Sequence, residues 1–284
     1  MLVLVAFLPF SGEIFRVDMD PRSLAMGSAS VSISDPVSSI LINPANIKGD
    51  VGGAGMDFGL LYEGITGFFA GYRNAGKPYA FGIYSILSPS IELTTVPDTT
   101  RPPSQDNPPY VYATATYLAS AMYFSMSFGR YYGISLKVLY QGIDRNRAVG
   151  FGSDIGFRWR QWGLVIRDFL PTVLFWNSGE REIIAPRIIV SGHRYIRRFL
   201  FVYGLDIATD SRTRDRLLSI GNYSIGIRGG VEYRYRIASF RAGYRNGKIS
   251  MGFGVRYRNY RVDFATFYNA SLGLNYRAGI LYTF

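Results

Sequence analysis

The chain has 284 residues, 48% hydrophobic and 16% aromatic, with no Cys, one His and a formal charge of +11. No apolar run reaches about 18 residues, which excludes a transmembrane helix, and the lack of Cys excludes disulfides and thiolate metal sites. A single His leaves little for imidazole-based metal or proton-transfer chemistry, so neither a cofactor nor an enzymatic role is expected. The positive charge raises nucleic acid as a partner, but the arginines fall one per strand step rather than in a patch, which argues against it.

In chain order, Met1 to Phe10 (MLVLVAFLPF) is the apolar core of an export signal without its basic leader or an A-x-A site. Residues 1–12 are read as a clipped signal remnant, with a short hydrophobic tail as the alternative. Residues 13–50 differ from the rest. Asp18 to Asp50 is rich in small residues, poor in aromatics, and carries turn formers at Asp35-Pro36 and Asn43-Pro44. Such a stretch makes a poor wall and a good plug, because small side chains pack closely inside a lumen.

From 51 to 284 the pattern changes to period two, the signature of strands. Between Lys248 and Arg258 the odd positions are Ile249, Met251, Phe253, Val255 and Tyr257, and the even ones are Lys, Ser, Gly or Arg. The last stretch repeats this with Leu274, Tyr276, Ala278, Ile280, Tyr282 and Phe284 opposite Gly273, Asn275, Arg277 and Gly279, and Leu281 as the exception. One apolar face and one glycine-and-arginine face suit a wall with lipid outside and water or a plug inside. The fold predicted is all-β, a transmembrane antiparallel up-and-down β-barrel of about fourteen strands with an N-terminal plug.

The strands are placed near 51–62, 64–74, 77–87, 112–129, 130–144, 148–160, 161–169, 184–195, 197–209, 222–236, 237–246, 248–258, 259–268 and 272–284. Gly52 to Tyr62 alternates poorly. The long connections 88–111, 170–183 and 210–221 all follow odd strands, as outer loops should when both ends of the wall are periplasmic. The proline-rich stretch Ser88 to Pro109 is expected to be an outer loop that resists strand formation, either a lid or docking surface or a free surface loop.

With the apolar stripe outward, the inward cations are Lys137, Arg158, Arg167, Arg228, Arg234, Arg241, Arg245, Arg256, Arg261 and Arg277, opposed by Asp154, Asp206, Glu232 and Asp263. The facing is well determined, because an arginine at the bilayer midplane costs roughly 2–4 kcal/mol. These cations either pair with the carboxylates, plug carbonyls and water, or form an anion-attracting lumen. Arg130, Arg160, Arg194, Arg197, Arg198, Arg236 and Arg258 fall at periplasmic turns. There they are either solvated residues or a basic rim meeting anionic lipid or an acidic partner. Ser191 and His193 share a strand face, superficially like a hydrolase pair, but read better as polar lumen residues. The string Gly150, Gly152, Gly156 has the wrong spacing for a dinucleotide loop and reads as lumen clearance.

Arg22-Ser23-Leu24-Ala25-Met26-Gly27, Ser34-Asp35-Pro36 and Asn43-Pro44-Ala45, in that order, resemble the N-terminal segment of the FadL superfamily, in particular its PorV/PorQ-like branch. Val165 to Pro171, then Leu174, Trp176, Gly179, Glu182 and Pro186, resemble a second signature of that branch, with Asp168 where Asn is usual; Ser28 and Ile42 also depart from its pattern. The resemblance implies a non-enzymatic barrel in the outer membrane of a diderm bacterium, in contact with outer-membrane lipid. It also implies that Tyr282 and Phe284 are read by the outer-membrane assembly machinery. PorV-like members serve type IX secretion, with secretion-system proteins and cargo as partners. FadL-like members instead pass hydrophobic molecules such as fatty acids, with the plug gating a lateral or vertical path.

Overall fold

The computed structural model describes residues 13–33, 35–62, 64–208, 218–220, 223–269 and 273–284. The expected signal remnant over 1–12 and most of the 210–221 connection lie outside the described residues. The wall opens with β1 (Gly53–Leu61), β2 (Ile65–Arg73), β3 (Tyr79–Thr95), β4 (Tyr110–Phe128), β5 (Tyr132–Ile143) and β6 (Asn146–Trp159). It continues with β7 (Trp162–Arg167), β8 (Thr172–Trp176), β9 (Arg181–Ile184), β10 (Arg187–Ile196), β11 (Phe199–Ala208) and the short β12 (Leu218–Ile220). It ends with β13 (Tyr223–Tyr235), β14 (Ala238–Arg245), β15 (Lys248–Tyr257), β16 (Tyr260–Asn269) and β17 (Gly273–Thr283). All pairings are antiparallel, and β1 bonds both β2 and β17, from Gly53↔Thr283 to Leu60↔Tyr276, so the sheet closes. Taking β7 with β8 and β9 with β10 as interrupted strands, and not counting the three-residue β12, which adds to the edge of β13 that β11 also pairs, the wall has fourteen.

The alternation sets the facing. Ile249, Met251, Phe253, Val255 and Tyr257 are all exposed, Met251 at 58%, whereas Ser250 and Gly254 between them are buried. Leu281, the exception in the last strand, is buried in the cluster that holds Val37 of the plug. The poorly alternating first strand is regular once glycine counts as an inward residue: Ala54, Met56, Phe58 and Leu60 face out, and Gly53, Gly55, Asp57, Gly59 and Leu61 face in. Both ends of the wall lie at the end with the tight turns, which by the rule for outer-membrane barrels is the periplasmic end.

Two connections differ from expectation. β3 and β4 run for 17 and 19 residues, beyond the ~9–11 that a crossing needs, so their hairpin projects outward and only 96–109 is loop. Proline is tolerated because the register shifts between Ser88 and Ile91, leaving Pro89 in an unpaired bulge. The remaining loop is clasped by Asn107, whose Nδ2 donates to the Asp98 and Arg101 carbonyls at 2.9 and 3.1 Å. The expected 170–183 loop contains β8 and β9. The lower half of β6 pairs with β7 and its upper half with β8, with residues 168–171 bowed between them. On the next strand, Ala185-Pro186 breaks β9 from β10. The wall therefore carries a seam where two neighbouring strands are interrupted at the same height.

The described residues of 13–50 form the plug inside the wall. They form α1 (Pro21–Ala25), α2 (Ser39–Ile42) and single turns of 3-10 helix at Glu13–Arg16, Ser30–Ser32 and Pro44–Asn46. Met19, Ala25, Met26, Ala29, Val31, Ile40 and Ile47 are almost wholly buried.

Candidate functional site: a plugged lumen and its outer vestibule

The plug starts with a capped turn. Asp20 accepts hydrogen bonds from the Arg22 and Ser23 backbone N–H groups at 3.2 and 3.1 Å, and Pro21 needs no donor at the first helical position. The turn ends at Met26 and Gly27, which has a φ of +67°. It seats against two wall glycines. A Cβ on Gly230 would lie 2.6 Å from the Met26 backbone, and one on Gly243 would overlap the Gly27 amide. At the other end, Asn43 Nδ2 donates to the Val31 carbonyl at 2.9 Å and to the wall carbonyl of Phe157 at 3.2 Å. Its Oδ1 accepts from Ala45 N at 3.0 Å, and Gly133 and Gly156 leave the room in which Pro44 and Ala45 pack. Gly133, Gly156, Gly230 and Gly243 are thus sockets for this segment, whereas Gly150 and Gly152 make room for Leu174 and Thr172 of the wall.

Between these contacts runs a closed ring of ion pairs. Arg22 holds Glu232 through Nε and Nη2 at 2.9 and 3.1 Å. Arg241 reaches Glu232 and Asp263, both at 2.7 Å. Arg261 reaches Asp263 at 2.6 Å and Asp35 at 2.7 Å, and Asp35 lies 3.7 Å from Arg22. Three cations alternate with three carboxylates, all buried, so the ring is neutral; the plug gives Arg22 and Asp35, and the wall gives the other four. Isolated charges in such a place cost several kcal/mol each, and only mutual pairing makes them tolerable.

A second cluster sits at the seam. Lys137 bonds Asp154 at 2.7 Å and Asp168 at 2.6 Å, and Thr172 Oγ1 donates to Asp168 at 2.7 Å. Arg16 of the plug reaches Asp168 at 3.1 Å on one side of the seam and donates to the Ala185 carbonyl on the other. Asp168 has a φ of 54°, a conformation that Asn and Asp accept most readily among side-chain-bearing residues, and the carboxylate adds the charge that two cations require. Elsewhere Asp206 pairs with Arg187 and Arg228, Arg228 also donates to the Ser28 carbonyl at 3.0 Å, and Arg167 donates to Leu41 at 3.1 Å.

The list of opposing carboxylates read from the wall alone is therefore too short. Asp35 and Asp168 belong in it, and Arg187 among the inward cations. Arg187 was legible: it shares parity with Ser191 and His193 on the same strand. Arg234 and Arg256 lie at the periplasmic end and are exposed, although Arg234 still reaches Glu232 at 2.6 Å. Ser191 Oγ accepts from Ser32 N at 2.8 Å, and His193 Nδ1 lies 3.1 Å from Ser32 Oγ, so both dock the plug. Tyr282 and Phe284 face outward beside the closing pair of strands, with ring contacts to Tyr260 at 5.0 Å and Tyr72 at 6.0 Å.

Above the plug, at the outer end, lies a cavity of about 280 Å³. Ile14, Val17, Leu24, Leu61, Ile65 and Phe267 form its apolar wall, and Arg16, Arg245, Lys248 and Arg277 bring positive charge. Arg277 is buried and donates to the carbonyls of Asp18 and Tyr276 at 3.3 and 2.9 Å. The plug meets the wall differently on its two sides. The ion ring faces β13, β14 and β16, whereas Phe15, Met19, Val37, Ile40 and Ile47 pack on Phe69, Tyr84, Ile86, Leu139 and Leu174 of β2 to β8.

Neither a protein-family model nor a curated protein sequence matches the chain. Solved structures do. The Pseudomonas putida toluene transporter TodX is 12% identical with a TM-score of 0.56, over 92% of this chain and 96% of that one. The Ralstonia pickettii toluene transporter TbuX is 13% identical at 0.57, over 95% and 99%. The CymD monoaromatic hydrocarbon channel is 14% identical at 0.58, over 94% and 97%. At these identities the likeness is one of fold, and it extends over nearly the whole of each chain: this barrel, plug included, has the fold of the outer-membrane hydrocarbon channels.

Proposed function

We propose that the chain is an outer-membrane channel for hydrophobic or amphiphilic small molecules. The observation that carries this reading is the outer vestibule, whose apolar wall leads into the apolar half of the plug–wall interface. A solute entering between Ile65 and Phe267 follows greasy surface along β2 to β6 toward the seam, where Arg16 acts as the latch. The full-length likeness of fold to hydrocarbon channels favours this over the secretion-accessory role that the PorV/PorQ resemblance implies. An inner face of glycine and arginine argues against a greasy bore. Here the plug itself supplies the missing apolar surface, so the bore need not.

The test is uptake of radiolabelled toluene and of a long-chain fatty acid by cells that lack their own channels for these solutes. Expression of the chain is expected to raise uptake of at least one of them above the empty vector. Ile65→Trp, which fills the vestibule, is expected to lower that uptake several-fold with barrel levels unchanged. A correctly folded barrel giving vector-level uptake of both would overturn the reading. A co-purifying exported protein in that case would favour secretion instead.

A further inference from the structure

At the periplasmic end a second cavity, of about 680 Å³, is lined by Ala45 and Lys48 of the plug, Gly129, Arg130 and Tyr131 of one turn, and Arg158, Trp159 and Arg160 of the next. Four of these side chains are cationic and none is acidic. Among the described residues none of the four forms an ion pair. Arg158 N donates to the Tyr131 carbonyl at 2.7 Å, tying the two turns together. Arg160 holds a φ of 52° and lies 4.9 Å over the Trp159 ring. A left-handed arginine is costly for a side-chain-bearing residue, yet Arg197, Arg236 and Arg258 repeat it at three other periplasmic turns. Arg236 and Arg258 also repeat the stacking, at 5.5 Å over Tyr235 and 5.4 Å over Tyr257.

We infer that this cavity binds the phosphodiester headgroup of an anionic phospholipid from the inner leaflet of the membrane. The charge calls for an anion, and uncompensated cations at a membrane edge attract anionic lipid. The position selects the lipid. The lining crosses the rim, from plug residues and the inward Arg158 to the outward, exposed Trp159. Trp159 and the exposed Tyr132 mark the headgroup level, where amphipathic rings settle. A headgroup therefore enters sideways from the leaflet and touches Lys48 of the plug, linking plug position to lipid. Lipid at this rim is independent of the solute that the channel carries.

The experiment purifies the barrel from vesicles of equimolar phosphatidylglycerol and phosphatidylcholine and counts retained lipids by native mass spectrometry. Wild type is expected to retain the anionic lipid in roughly tenfold preference, and K48Q/R130Q/R158Q/R160Q to lose that preference. Should the quadruple variant not fold, as judged by heat-modifiable mobility, K48Q/R130Q and R158Q/R160Q are each expected to lose part of it. R236Q/R258Q, on another arc of the rim, is expected to keep most of it. Equal loss in R236Q/R258Q would overturn the site in favour of diffuse rim charge. No preference in wild type would overturn it too, as would displacement of the lipid by inorganic phosphate or a glutamate-rich peptide at concentrations where phosphatidylglycerol does not compete.

Discussion

Glu232→Gln is expected to be among the most damaging single substitutions in the chain. The carboxylate is 1% exposed and accepts from Arg22, Arg234 and Arg241. Its loss leaves Arg22 and Arg241 buried with one partner fewer each, and breaking a buried pair from one side costs about 3–5 kcal/mol. For a domain of this size that corresponds to a fall on the order of 10 °C in unfolding midpoint, read as the loss of heat-modifiable mobility on gels. The double variant Arg22→Gln/Glu232→Gln removes a cation with the carboxylate and should recover part of the loss, since residues in one network do not contribute additively. If Glu232→Gln unfolds within a degree or two of wild type, the ring does not hold the plug.

The second large effect concerns two adjacent glycines. Gly230→Ala places a Cβ 2.6 Å from the Met26 Cα and carbonyl oxygen, backbone atoms that cannot rotate aside. Gly229→Ala meets only the Val202 carbonyl oxygen, at 3.5 Å. β13 is fixed on both sides by β11 and β14, whereas the plug is held by side chains, so the plug is what yields. Overpacking of this kind costs typically about 1–3 kcal/mol. In planar bilayers wild type and Gly229→Ala are expected to give few or no ion-conducting steps, and Gly230→Ala frequent ones, with both variants folded. Equal conductance of the two would mean that the segment 21–27 does not seat on this wall.

The wall was legible because an outward side chain must be apolar and an inward one need only be small or charged, so the facing of 248–258 follows from the residue types. The first strand looked irregular only because glycine was scored as neutral. At Gly53, Gly55 and Gly59 glycine is the inward residue. The ion ring was half legible: its wall members follow from parity, but Arg22 and Asp35 lie some 200 positions away, and no local pattern links them to Glu232 and Arg261. The seam was hidden for another reason. Residues 161–169 and 184–195 read as strands with a loop over 170–183 between them, and only the pairing of β7 with β10 and of β8 with β9 shows that the two interruptions are neighbours. Similarly, Pro89 signals a loop from sequence alone because a bulge that admits it leaves no local mark.

The fold requires the apolar stripe to lie in hydrocarbon while the polar stripe meets the plug. The chain has no Cys, so single-cysteine variants can be spin-labelled one at a time along 249–255 and their collision rates with oxygen and with a water-soluble nickel chelate compared. Labels at 249, 251, 253 and 255 should collide with oxygen, and labels at 250 and 254 with neither reagent, being shut in beneath the plug. Oxygen contact at 250 and 254, or a profile without alternation, would contradict the account.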